Sequence, residues 1–179
     1  PFDTLVDIVL ADDFKTILWP LPTDDDDASW ELRRQVWEGS GAILGGSDAG
    51  AHLDRMLGSN YPSKFLGDSL RGRQLVSLER AVQMMTQVPA RLFGLTDRGT
   101  IEVGNHADLV LFDPATVDSG PITMRADLPG GTERLFADAV GIAEVWVNGT
   151  TVVADGEPTG AVPGTLLRSG TDTHTPDFS

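Results

Sequence analysis

Cysteine is absent from all 179 residues. With it go disulfides, cysteine-ligated zinc and thiol nucleophiles, a composition that suits a cytoplasmic protein. Basic residues are scarce: 13 Lys and Arg stand against 27 Asp and Glu, for a formal charge of -14. Phosphate backbones and anionic lipid surfaces both need clustered cations to displace counterions, so nucleic acid and membrane are set aside as partners. No apolar run approaches the ~18 residues of a membrane span, and residues 1–7 carry neither a basic region nor a signal-like apolar stretch. An initiator Met is missing and the chain opens directly into helical periodicity. We therefore expect a missing N-terminal part of the same protein upstream. Histidine occurs only as His52, His106 and His174, with no His-x-His pair and no His-Glu-x-x-His. A catalytic zinc takes about three converging protein ligands, and these residues supply too few.

What is present suffices for a core. The chain is 40% hydrophobic and 22% charged, a globular balance, although an eight-unit barrel of strands and helices needs roughly 250 residues. Phe2, Leu5, Val6, Val9 and Leu10 recur at helical spacing, which predicts a helix ending near Asp12 and Asp13. Residues 16–19, closed by Pro20, read as a strand. The run Asp24, Asp25, Asp26 and Asp27 reads as the capped, dipole-complementing start of a helix through Trp30 and Trp37 to Gly39. Four adjacent Asp side chains cannot all face one ion.

Residues 42–46 form a continuous small and apolar run, as a strand buried on both faces requires. Polar residues arrive only at its end, which places Asp48 at a strand's C-terminal mouth, where barrel enzymes hold their chemistry. Residues 53–76 read as a long irregular loop with a short helix. Ser77 is an N-cap for a helix carrying Leu78, Ala81, Val82 and Met85 on one face. Pro89 then starts a second short helix that Gly94 stops. Strands are expected at 100–103, 108–112, 143–147 and 151–154, with the hairpin dipeptide Asn148-Gly149 between the last two. The expected organisation is residues 1–98 with helices and strands, 99–167 rich in strand, and 168–179 a solvated polar tail.

Asp48 has two readings: a carboxylate facing a cleft, where it could exchange a proton with water or help hold a metal, or an Asx-turn cap after the strand. His52, four residues on, could bind a substrate carbonyl or carboxylate, or simply sit on a loop surface. His106 reads as turn chemistry and His174 as solvated. Arg55, Lys64, Arg71 and Arg73 could hold an anionic group, or serve as surface charge.

The run Gly45-Gly46-Ser47-Asp48-Ala49-Gly50-Ala51-His52-Leu53 resembles the last metal-proximal motif of the D-aminoacylase branch of the amidohydrolase superfamily. Pro89-Ala90-Arg91-Leu92-Phe93-Gly94-Leu95, Asp97-Arg98-Gly99-Thr100-Ile101 and Gly104-Asn105-His106-Ala107-Asp108-Leu109-Val110 are similar, in order and spacing, to the segment where these enzymes return from barrel to small β domain. Val145-Trp146-Val147-Asn148-Gly149 resembles their closing hairpin.

The resemblance implies an α/β fold: the last two strand-helix units of a TIM barrel followed by part of a small β-sandwich. It implies a zinc-dependent hydrolase of N-acyl-D-amino acids, with one or two zinc ions held by residues largely absent from this chain. Asp48 would be the general base and acid, and His52 would contact the substrate. Other chemistries of the same fold, cyclic amide hydrolysis or deamination, share such an aspartate. A noncatalytic scaffold or oligomerisation module is the reading from a different class. A chain carrying two barrel units alone would expose strand edges and apolar helix faces, so a homo-oligomer is expected.

Overall fold

The first helix, α1 (Phe2–Ala11), ends where Asp13 and Phe14 take left-handed backbone angles, φ 52° and 60°. That matches the helix expected from the apolar spacing. The computed structural model describes residues 1–16, 24–39, 41–47, 49–54 and 56–177. Most of the strand expected at 16–19 therefore lies outside the described residues, as do Asp48 and Arg55. Two compact units divide the chain, Pro1–Arg33 and Arg34–Ser179.

In the first unit the acidic run does what capping chemistry requires. The Asp26 carboxylate accepts the Ser29 backbone N–H at 3.0 Å and the Ser29 hydroxyl at 2.8 Å, opening α2 (Asp27–Glu38). Those two bonds, the backbone one first, hold the Asp26 carboxyl below its ordinary value. Asp25 accepts the Trp30 indole N–H at 2.7 Å, and the Asp24 carbonyl accepts from Arg33, whose guanidinium lies over the Trp30 ring. Neither α1 nor α2 contains a buried residue.

The core belongs to the second unit. The segment expected to be a long loop with a short helix contains the ten-residue helix α3 (Tyr61–Leu70), which brings Leu66 inward. It is followed by α4 (Leu78–Met85), whose cap is the Ser77 hydroxyl accepting from the Arg80 N–H at 3.2 Å. Its inward line is Ala81 and Met84, with Leu78, Val82 and Met85 only partly buried beside them. Leu66, Val76, Ala81, Met84 and Val117 form the centre, and Trp37, Phe65, Phe112 and Ile142 pack around it. Helices and sheet thus share one core. The Trp37 and Phe65 rings meet edge to face, 5.6 Å between centroids.

Helix α5 (Gln87–Leu92) closes as the sequence predicts. Gly94 N–H bonds to Arg91 O at 3.1 Å and Leu95 N–H to Ala90 O at 2.8 Å, the two bonds of a Schellman stop, with Gly94 at φ 67°. The polar tail is more than solvated chain at this point. His174 N–H donates to Gly94 O at 3.0 Å, and Leu95 forms an antiparallel bridge with Thr173.

The strands are β1 (Leu109–Phe112), β2 (Asp118–Ser119), β3 (Thr123–Arg125), β4 (Arg134–Phe136), β5 (Ala139–Val140), β6 (Ile142–Val147), β7 (Thr150–Ala154) and β8 (Glu157–Pro158). One sheet runs β1-β6-β7-β8; β2 pairs with β5 and β3 with β4, every ladder antiparallel. The β6–β7 turn has φ 48° at Asn148 and 76° at Gly149, the two positive angles that Asn-Gly tolerates best. Helix and strand are both present, as the α/β reading requires.

Two expected strands do not form. Residues 42–46 are irregular, Ile43 is exposed, and the backbone turns at Gly46 with φ 83°. A buried parallel strand draws its hydrogen bonds from neighbours on both sides, and no parallel ladder exists among the described residues. Residues 100–103 are likewise a loop, held by Asn105 Nδ2 on the Thr100 carbonyl and hydroxyl, with Ile101 and Val103 in solvent.

Gly94 carries a direct test. A Cβ there would lie 1.8 Å from His174 O, on backbone whose handedness alone costs an L-residue about 1–2 kcal/mol. Gly94→Ala is expected to lower stability by at least that amount, read as a drop in the urea midpoint; an unchanged midpoint would contradict the docked helix end.

Candidate active site

The residues on either side of Asp48 fold locally. Ala49 N–H donates to the Ser47 hydroxyl at 3.2 Å, a short polar turn. Ser47 packs so closely on Gly58 that a Cβ on that glycine would come within 2.8 Å of the Ser47 Cβ. His52 has a left-handed backbone, φ 49°, and an exposed side chain that makes no hydrogen bond among the described residues. Its carbonyl accepts the Met56 N–H at 2.8 Å, closing the loop after the motif. The imidazole is therefore exposed on that turn.

That loop is anchored from a distance. Leu53 O accepts the Leu135 N–H of β4 at 2.8 Å, tying the His52 turn to the β3–β4 hairpin. Arg125 and Arg134 on this hairpin stack on Phe136, 3.9 and 4.6 Å from the ring centroid. Arg134 grips Asp127 through two bonds of 2.7 and 2.8 Å, and Arg125 pairs with Asp138. The sequence reading missed this hairpin. Its local signal was the turn sequence Pro129-Gly130-Gly131 between two short segments.

Two of the four cations considered for anion binding, Arg71 and Arg73, are committed elsewhere. Arg71 donates to Pro114 O at 2.7 Å and to Val117 O, and pairs with Asp118 at 3.4 Å. Arg73 bonds both oxygens of Asp68 at 3.1 and 3.2 Å. Lys64 lines an open cleft of about 230 Å³ with Asp68, Arg71 and Asp118, where acids and bases balance. His106 donates its backbone N–H to Asp97 O at 2.8 Å and sets its Nε2 3.4 Å from the Asp97 carboxylate, so it serves a turn. The His174 side chain is exposed.

The described side chains alone do not assemble a metal site. No group of three His, Asp or Glu side chains able to hold an ion occurs among the described residues, and neither His106 nor His174 joins His52. No described helix is long and apolar enough to cross a membrane.

Residues 37–153 match the model of the family described as "Amidohydrolase family". The chain belongs to the amidohydrolase family. This amidohydrolase chain is 44% identical over 107 residues to the N-acyl-D-aspartate deacylase of Alcaligenes xylosoxydans xylosoxydans, covering 56% of this chain and 18% of that protein. It is 39% identical over 130 residues to the D-aminoacylase of the same organism, covering 71% and 25%. A solved N-acyl-D-glutamate deacylase from Bordetella bronchiseptica, complexed with zinc and a phosphonate inhibitor, is 42% identical over 54% of this chain and 19% of its own, with a TM-score of 0.40. The chain thus spans about a fifth to a quarter of the length of the curated relatives named here. The family match includes the motif around Asp48, the His52 turn and the hairpin that anchors it.

The hairpin gives this amidohydrolase chain an acid-sensitive joint. The bonds from Arg134, more than its charge, hold the Asp127 carboxyl below the usual range, and Arg134 is raised in turn by the Asp127 bonds. A depressed carboxyl contributes stability that is present above its unfolded pKa and is lost as pH falls through the folded one. The protection of the β4 amides, exchange corrected for its intrinsic pH dependence, is therefore expected to hold from neutral pH down to about 4 and to fall below it. Asp127→Asn should abolish that step, and hydrogen exchange followed by mass spectrometry across the pH range checks both.

Proposed function

We propose that this chain is the C-terminal part of a metal-dependent hydrolase that cleaves the amide bond of N-acyl-D-amino acids. The observation that carries the reading is the Gly45-to-Leu53 motif lying inside a family match that extends over residues 37–153. Support comes from relatives whose names specify N-acyl-D-aspartate and D-aminoacyl substrates. In the intact protein, residues 1–98 would be the last two strand-helix units of a TIM barrel, 99–167 part of a small β-sandwich and 168–179 a tail. Residues 42–46 would become a strand once neighbouring strands flank them. A cytoplasmic location fits the absent cysteines.

Amide hydrolysis needs a proton removed from the attacking water and one delivered to the departing nitrogen. Asp48 is the residue to which we give both transfers, since one carboxylate can take the first proton and return it. His52, free on its turn, would contact the substrate's carbonyl or carboxylate. Zinc, named for the Bordetella relative, would be held by residues other than those described here; we assign no step to it.

In the full-length protein, Asp48→Asn is expected to lower kcat by about a hundredfold or more while metal content stays at the parent level. His52→Ala is expected to raise KM by about tenfold with kcat little changed. Amine release from N-acyl-D-aspartate and N-acyl-D-methionine reads both, and full turnover by the Asp48 variant would remove the assignment.

We also propose that the isolated chain associates with itself. Phe2, Ile8, Leu10 and Phe14 of the first unit are all more than half exposed, apolar surface that association would cover. Light scattering over a concentration series is expected to show growing mass; a constant monomer mass would end this proposal.

A further inference from the structure

Asn148-Gly149 is the dipeptide most open to spontaneous deamidation, because a following glycine puts no side chain in the way of ring closure. In that reaction the Gly149 amide nitrogen attacks Asn148 Cγ, and an N–Cγ bond forms as Cγ–Nδ2 breaks. The proton from the Gly149 nitrogen leaves with Nδ2 as ammonia. Water then opens the cyclic imide to aspartate or isoaspartate.

Each reacting group is held. The Gly149 N–H, which must lose its proton, donates to Ala107 O at 3.0 Å. The Asn148 backbone N–H donates to Asp108 Oδ1 at 2.8 Å, and Asp108 is itself fixed by Arg98 at 2.7 Å. The leaving group Nδ2 donates to Pro163 O at 2.8 Å, and Oδ1 is buried without a partner among the described residues.

Pro163 belongs to a strap that follows β8. Thr159 N–H bonds to Val152 O at 2.9 Å, the Thr159 hydroxyl to Thr151 O at 2.9 Å, and Ala161 N–H to that hydroxyl at 3.3 Å. Val162 and Leu166 are in solvent, so polar bonds rather than apolar burial keep this segment down.

We infer that residues 159–163 control the chemical lifetime of Asn148, and that deamidation in turn releases them. The intact strap keeps the amide dry and its nitrogen engaged. Once the amide becomes a carboxylate there is no N–H left for Pro163 O, and two acceptors face each other. The new charge is also added to a residue whose backbone already holds the Asp108 carboxylate, and an unpaired buried charge is expelled toward water.

The test is incubation of the 179-residue chain at mildly alkaline pH with peptide mapping by mass spectrometry, following the mass change of amide to acid at Asn148. The urea-denatured chain is the unprotected reference, and Asn60 and Asn105 are internal monitors. The native chain is expected to deamidate at Asn148 at least tenfold more slowly than the denatured one, by an approximate reckoning from the three bonds. Thr159→Ala is expected to speed the reaction at least about fivefold, because both bonds of the Thr159 hydroxyl, to Thr151 O and from Ala161 N–H, are lost from the strap, with the two monitors unchanged. Ala161→Pro, which deletes the donor to the Thr159 hydroxyl, is the second variant should Thr159→Ala fail to fold. Asn148→Asp is expected to raise hydrogen exchange at Ala161. A native rate equal to the denatured rate overturns the proposal, as does a variant whose strap exchanges faster while Asn148 reacts no faster.

Discussion

The backbone of residues 116–118 is pressed between two elements that both reach it through a glycine. A side chain at Gly67 of α3 would come within 2.6 Å of the Asp118 carboxylate, and one at Gly141 within 2.5 Å of the Val117 nitrogen. Only this approach lets Val117 fill the space between helices and sheet, where it is, among the described residues, the largest side chain fully removed from water. Arg71 completes the joint by bonding the carbonyls of Pro114 and Val117. The core is small, and it holds the helical and strand-rich parts of the second unit together from this one place.

Features fixed by neighbours a few residues away were legible in the sequence. Ser77 caps because its hydroxyl reaches the Arg80 N–H. Asp26 caps in the same manner, Gly94 stops α5, and Asn148-Gly149 turns the hairpin. Each requires only backbone geometry and one side chain. Segments that depend on distant partners were not legible. Residues 42–46 and 100–103 have strand composition, but composition supplies no hydrogen bonds. The β3–β4 hairpin went unseen because Thr123 to Arg125 and Arg134 to Phe136 are only three residues each, and are held by Arg-to-Asp pairs and ring stacking rather than by an apolar rhythm.

The candidate site divides along the same line. Chemistry could be attached to Asp48 and His52 through motif resemblance, and His52 lies exposed on a left-handed turn. The remote anchor at Leu135 had no sequence signature, since it is a backbone bond between residues 82 positions apart. The arginines offered the opposite lesson. Arg71, Arg73, Arg98, Arg125 and Arg134 all meet acids, as an excess of Asp and Glu makes probable on counting alone. Most of their charge is occupied by the fold rather than offered to a ligand.

The two glycine contacts at residues 116–118 also bear on how substitution data from this family would be read. Gly67 and Gly141 would rank among the positions least tolerant of change, yet neither has a side chain to offer a substrate. Their intolerance would record how near each main chain lies to residues 116–118. A catalogue of invariant positions would therefore mix such spacers with working groups, and what separates them is whether a longer side chain at the position collides with backbone or enters open solvent.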